Sequence, residues 1–164
     1  VGQLVLILDN IRSAHNVGAI FRTAAGLGVN HIYCVGLTPY PAIANDRRLP
    51  HIANKASAKI AKTALGSQSA VDFSPVDLPA RLVDDLTRSG FTIACLEITP
   101  GAVKLDDYQP PAKLALVLGN EVGGVDRFWL DRSSQTLAIP MRGQKQSLNV
   151  AAAAAIAVYS LLNR

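Results

Sequence analysis

Asn16, Arg22, Glu121, Ser147 and Asn149 are the side chains whose types and settings suit chemistry on a bound ligand. They lie in three polar segments, each following an apolar run. In the first, Ser13-Ala14-His15-Asn16-Val17-Gly18, Asn16 reads as a helix N-cap, leaving free backbone amides to face a ligand. Arg22 follows almost two turns into that helix. In the second, Leu118-Gly119-Asn120-Glu121-Val122-Gly123-Gly124-Val125, glycines let backbone approach a ligand closely, and Glu121 can orient a polar group. This is neither a G-x-G-x-x-G fingerprint nor a P-loop. The third, IPMRGQKQSLN (139–149), crowds donors, acceptors, Arg142 and Lys145 into one loop. Ser147 reads as the N-cap of the helix that follows, and Asn149 is harder to explain as packing. Taken singly, the same features also describe a surface cation, a tight turn and a helix cap.

The elements that must position these groups are legible as apolar runs alternating with helical periods. LVLIL (4–8), HIYCV (31–35), FTIACLEI (91–98), LALVLG (114–119) and TLAIP (136–140) have the continuous apolar character of buried parallel strands, with a weaker strand at AVDF (70–73). Segments 16–28, 56–66, 77–89 and 148–163 read as helices. Strands joined by helical crossovers predict an α/β domain with a mostly parallel sheet covered by helices on both faces. All three polar segments then fall at strand ends, where open α/β sheets bind ligands. Lys55, Lys59 and Lys62 share one helical stripe opposite Ala56, Ile60 and Ala64. TPYPAIANDRRLPH (38–51) reads as a long loop, a length often tied to function.

With 49% hydrophobic and 17% charged residues, the chain is expected to form one domain over 1–164. Its longest apolar stretch, Val150 to Tyr159, is short of the roughly 20 residues that span a bilayer. VGQLVLILDN has neither a basic leader nor a cleavage site, so a cytoplasmic protein is expected. Cys34 and Cys95 read as buried strand thiols, and the isolated His15, His31 and His51 give no metal-ligand spacing. The net charge of +4 is unevenly placed. Residues 1–71 hold seven Lys/Arg against two Asp, a net +5. Residues 72–131 hold five basic against ten acidic side chains, a net −5. Residues 132–164 hold four basic side chains and no acid. Positive ends around a negative middle suit a polyanion, or a scatter of solvated charge.

Together, NVGAIFRTAAGLGV (16–29), LALVLGNEVGGV (114–125) and IPMRGQKQSLNVAAAAAIAVY (139–159) resemble the three signature motifs of the SpoU (TrmH-like) RNA 2′-O-ribose methyltransferases, of the SPOUT superfamily. KTALGS (62–67) is similar to a segment the family carries between the first two. The resemblance implies a C-terminal deep trefoil knot, a rare exception to unthreaded chains. It implies S-adenosylmethionine as methyl donor, with cofactor contacts at Leu96, Glu97, Gly119, Ile139, Met141 and Leu148. It implies a reaction centre of Arg22, Asn16, Glu121, Ser147 and Asn149, and a homodimer in which Arg22 of one subunit completes the partner's site. One departure is Ala151, where the family's third motif commonly has serine. Another is the absence from this sequence of the N-terminal RNA-binding domain that many relatives carry.

The leading expectation is therefore methyl transfer to a ribose 2′-hydroxyl of tRNA or rRNA. RNA contacts are expected at Arg12, Arg47, Arg48, Lys55, Lys59, Lys62, Arg142 and Lys145, with the negative middle facing away. The runner-up is a catalytically inactive knotted RNA-binding module. A nucleotide-binding hydrolase would need a P-loop or a metal site that the sequence does not show.

Overall fold

The structure, a computed structural model, describes residues 1–163. Seven strands form one sheet: β1 (Gln3–Asp9), β2 (His31–Val35), β3 (Phe73–Val76), β4 (Thr92–Leu96), β5 (Val103–Lys104), β6 (Lys113–Leu118) and β7 (Gln135–Ala138). Their order is β3-β2-β1-β6-β4-β7-β5, and every pairing is parallel. Among the described residues, five α-helices accompany them: α1 (Ala14–Leu27), α2 (Pro50–Ala64), α3 (Pro79–Arg88), α4 (Arg127–Leu130) and α5 (Val150–Leu162).

The two-sided burial expected from the apolar runs is present and alternates residue by residue. Leu4, Leu6 and Leu8 of β1 pack in a core with Val17, Ile20 and Phe21 of α1, Ile60 of α2, and Ala157, Val158 and Leu161 of α5. Val5 and Ile7 pack on the other face with Leu82 and Leu86 of α3 and Trp129 of α4. Cys34 and Cys95 belong to these opposite cores, so the sheet separates the two free thiols. Burial pushes their pKa values up, Cys34 to about 12 and Cys95 to about 11.

Several boundaries differ from expectation for identifiable reasons. Helix α2 starts at Pro50 rather than 56, because proline at the first helical position needs no amide partner. The weak strand moves from 70–73 to 73–76, where Pro75 is tolerated on the edge of the sheet. Strand β5 and helix α4 are too short, at two and four residues, for periodicity to reveal.

Strand β7 pairs with both β4 and β5, two strands already joined by residues 97–102. The chain leaving β7 turns back so that α5 packs against α1, in the core shared with β1 and β6. Such an order is what the threaded C-terminus implied by the family resemblance requires. No helix among the described residues is long and apolar enough to cross a membrane.

Candidate active site

Because the sheet is parallel, the carboxyl ends of all its strands share one edge, and the polar segments converge there. The loop after β6 is a tight hairpin. Asn120 and Gly124 exchange backbone hydrogen bonds of 3.0 and 3.1 Å, and the Asn120 side-chain oxygen accepts the amides of Val122 and Gly123 at 2.9 and 2.8 Å. A β-carbon on Gly119 would run into the backbone of Gly124 and Val125, and one on Gly124 would run into the Glu97 carboxylate. These two glycines let the loop fold onto itself and onto Glu97. Glu97 then accepts the amides of Ile98 and Val125, both at 2.9 Å.

Glu121, at the tip of this hairpin, reaches the start of α1. It accepts the Asn16 side-chain amide at 2.7 Å and the backbone amides of Arg12 and Ser13 at 3.2 and 3.4 Å. The amide-rich entry to α1 is thus occupied by an anion from the chain itself. Burial pushes the Glu121 pKa up, but hydrogen bonds from its own backbone amide, from Asn16 and from the amides of Arg12 and Ser13 outweigh it. The carboxyl is held below its ordinary range.

Both helix caps differ from the sequence expectation. Ser13, not Asn16, caps α1, its hydroxyl accepting the Asn16 amide at 3.2 Å. Asn149, not Ser147, caps α5, accepting the Ala151 amide at 2.9 Å. In each case two residues with good capping chemistry stand near the helix start. The displaced residue lies inside the helix at Asn16 and two positions before the cap at Ser147. Asn16 is therefore free to carry the polar chemistry of the site. Its side-chain oxygen accepts the Asn149 amide group at 3.1 Å.

The Glu121–Asn16–Asn149 chain ties the first helix, the hairpin and the last helix together. Glu121 can only accept, so Asn16 must present its NH2 to it and its oxygen to Asn149. Asn149 in turn must present its oxygen to the α5 amide. The orientation of both amides follows from one carboxylate. Ala151, the departure from the family pattern, still supplies the backbone amide that Asn149 caps.

A cavity of about 460 Å³ opens beside this network. All six expected cofactor residues line it: Leu96, Glu97, Gly119, Ile139, Met141 and Leu148. Glu121, Ser147 and Asn149 line it too. Among the described residues, its wall contains two carboxylates and no lysine, arginine or histidine. Among the described residues, no group of three or more His, Cys, Asp or Glu could hold a metal ion.

Arg22 is not among the cavity's lining residues. It stands exposed beside a separate groove with Lys62, Thr63, Leu65, Ala155 and Tyr159. Six helical positions separate it from Asn16, about 9 Å along the axis and about 120° around it.

The expected RNA contacts divide. Arg12, Lys55, Lys59, Lys62, Arg142 and Lys145 are exposed. Arg47 is exposed and pairs with Asp77 at 3.6 Å, which brings one acid of the negative middle into the basic region. Arg48 is a correction. Its guanidinium is mostly buried, bonding to Asp46, to the Tyr40 carbonyl at 2.9 Å and to the Pro41 carbonyl at 3.2 Å, and lying 3.5 Å from the centre of the Tyr40 ring. It shapes the 36–49 loop from inside.

Three contributors were not singled out from sequence. Ser13 and Asn120 shape the loops, and Asn120 is signalled only by its place before a glycine-rich turn. Asp9, ending an apolar strand, is buried and accepts the Asn10 side chain at 2.9 Å and the Asp126 amide at 3.0 Å. Burial raises its pKa.

A family model described as the SpoU rRNA Methylase family matches residues 3–159. The chain belongs to that family. The 23S rRNA (guanosine(2553)-2′-O)-methyltransferase RlmP of Bacillus subtilis is 31% identical over 157 residues, 96% of this chain and 57% of RlmP. The TrmH/SpoU tRNA modifying enzyme of A. aeolicus superposes with a TM-score of 0.81 at 26% identity, over 99% of this chain and 75% of that one. AviRb of Streptomyces viridochromogenes, a SpoU methyltransferase in complex with the cofactor AdoMet, superposes equally well. Its TM-score is 0.81 at 23% identity, over 99% of this chain and 57% of AviRb. This SpoU chain spans a little under three-fifths of the length of the curated relatives it matches. Its fold is that of the knotted SPOUT methyltransferases.

Proposed function

We propose that this SpoU-family chain transfers a methyl group from S-adenosylmethionine to a ribose 2′-hydroxyl of tRNA or rRNA, working as a homodimer. The observation that carries this reading is the Glu121–Asn16–Asn149 network at the mouth of an acidic cavity with an apolar side. A wall without a cation suits neither a nucleoside triphosphate nor another polyphosphate. It does suit a ligand with a flat heteroaromatic ring, a sulfonium and an ammonium group. Leu96, Leu118, Ile139 and Leu148 offer the apolar slot, and Gly119 lines the wall with backbone groups that suit polar ring edges. When bound, that cofactor supplies an electrophilic methyl group.

The chain's own residues set the geometry around the hydroxyl. Glu121 has both oxygens engaged and a depressed pKa, so it serves as a strut and not as the proton acceptor. Arg22 stays protonated and takes no proton. Its role is to hold a phosphate and to stabilise alkoxide character on the attacking oxygen. Arg22 lines a groove other than its own chain's cavity, which supports the reading that a second copy supplies it. Exposed Arg12, Arg47, Lys55, Lys59, Lys62, Arg142 and Lys145 support an RNA-facing surface.

Two measurements test this. Calorimetric titration with S-adenosylmethionine is expected to show one saturable site per chain, with affinity preserved in Arg22→Ala. Mapping 2′-O-methylation in total RNA from cells with and without the protein is expected to reveal a missing mark, which Arg22→Ala fails to restore. A chain that binds no cofactor would instead be an inactive RNA-binding module, and near-normal turnover by Arg22→Ala would remove the role given to that residue.

A further inference from the structure

A second feature of the carboxyl edge lies beyond the cavity, at the ends of β2 and β3. Val35 and Val76 are paired in register, and Leu37 and Leu78 each stand two residues further on, at strand ends about 4.8 Å apart. Both are exposed leucines, at 72% and 65%. The Arg47–Asp77 ion pair draws the start of α2 to the same place, adding Leu49 and Ile52 at 60% and 48% exposure. Four exposed large aliphatic side chains are therefore carried by the segments that this ion pair and the paired strand ends bring together.

The surface is held rigidly. Arg48 clamps the 36–49 loop from within, and the Ser57 hydroxyl accepts the Ala42 amide at 2.6 Å. The Thr38 hydroxyl accepts the Ile11 amide at 3.0 Å and donates to the Leu8 carbonyl at 2.8 Å, while the Leu37 amide donates to Asn10 at 3.0 Å. These last bonds fasten the loop to the 10–13 turn, whose other side is held by Glu121. The surface is thus fixed relative to the reaction centre. Strand β2 lies two strand spacings, about 10 Å, from β6.

We infer that Leu37, Leu49, Ile52 and Leu78 form a preorganised platform, around Arg47, on which unpaired nucleobases flanking the methylated ribose lie. The inference rests on the RNA methyltransferase reading above. The charge of these segments selects this occupant. Arg12 in the 10–13 turn and Lys55 and Lys59 on α2 are exposed, whereas Arg47 is offset by Asp77 and Asp46 by Arg48. Apolar faces within a cationic surround match a single strand, whose bases are free and whose backbone is anionic. In a perfect duplex the base faces are stacked away and the platform has nothing to bind.

The test compares the wild-type chain with Leu37→Ser/Leu49→Ser and with Leu78→Ser. The probes are a fluorescently labelled mixed-sequence single-stranded RNA and its perfect duplex, each titrated at several salt concentrations. The double variant is expected to bind the single strand about tenfold more weakly. Duplex affinity, S-adenosylmethionine affinity and the slope of log affinity against log salt should all stay unchanged, because no phosphate contact is removed. Equal single-strand affinity in variant and wild type overturns the platform and returns this surface to a protein partner. An equal loss for duplex and single strand also overturns it. Wild-type chain that binds neither RNA at low salt overturns the RNA reading itself, and the platform with it.

Discussion

Glu121 decides the orientation of two other polar side chains, and its own position depends on being charged. Its carboxylate accepts from the Asn16 side chain and from the backbone amides of Arg12 and Ser13 just ahead of α1, where the helix field favours an anion. The folded-state pKa lies below the ordinary glutamate value. A group shifted in that direction contributes stability above its unfolded pKa, and that contribution is lost as the pH falls through the folded value. Glu121→Gln keeps the length but turns an NH2 group toward donors. At neutral pH it is expected to unfold at lower urea concentration than wild type. That gap should close as the pH drops below the ordinary glutamate range, where the wild-type carboxyl is protonated too. A gap unchanged under acidic conditions would mean that the ionised carboxylate does not hold the network. Sequence alone showed that Glu121, Asn16 and Asn149 were polar groups out of place in an apolar scaffold. It did not show which residues cap the helices, because Ser13 and Asn16, or Ser147 and Asn149, have nearly the same capping chemistry. The choice depends on where the backbone turns, and Glu121, more than 100 positions away in sequence from Asn16, helps to settle it.

At the scale of elements, long buried strands were legible because burial on both faces leaves an unbroken apolar run. The run HIYCV coincides with β2, and LVLIL lies within β1. What escaped was structure built by side chains reaching backwards, as in the 36–49 loop. Arg47 and Arg48 look interchangeable in sequence, yet one points outward and the other satisfies carbonyls of its own loop. Their consequences should separate cleanly. Arg48→Ala is expected to lower Tm by a few degrees while leaving the salt slope of RNA binding unchanged, since that guanidinium has no solvent-facing role. Lys59→Glu with Lys62→Glu should do the reverse. Those side chains lie exposed on one face of α2, so Tm is expected to hold while RNA binding weakens and its salt slope falls by about one to two. Thermal melts paired with binding titrations at several salt concentrations check both. An unchanged slope in the lysine variant would mark that face as merely solvated.

For the whole molecule, the residues proposed for the reaction centre do not all meet within one chain. One chain brings Asn16, Glu121, Ser147 and Asn149 to the cavity rim, but leaves Arg22 on another face beside Ala155 and Tyr159 of α5. Sequence can nominate Arg22 but not its surroundings, because only the fold brings it beside Lys62, Ala155 and Tyr159. If a second copy supplies Arg22, then two different defects should repair one another. Arg22→Ala leaves the cavity intact but withholds the cation. Gly119→Val fills the space where the hairpin backbone folds over itself, so it should close the cavity while still presenting Arg22. Each variant alone is expected to be inactive. Co-expressed, half of the randomly formed dimers are mixed, and each mixed dimer holds one cavity with its arginine, restoring about a quarter of wild-type methyl transfer. Leu148→Arg, in the cavity wall, replaces Gly119→Val if that variant does not fold. Recovered transfer that rises with the mixed fraction supports the shared site. A mixture as inactive as its components would place the whole reaction within one chain and leave Arg22 in need of another role.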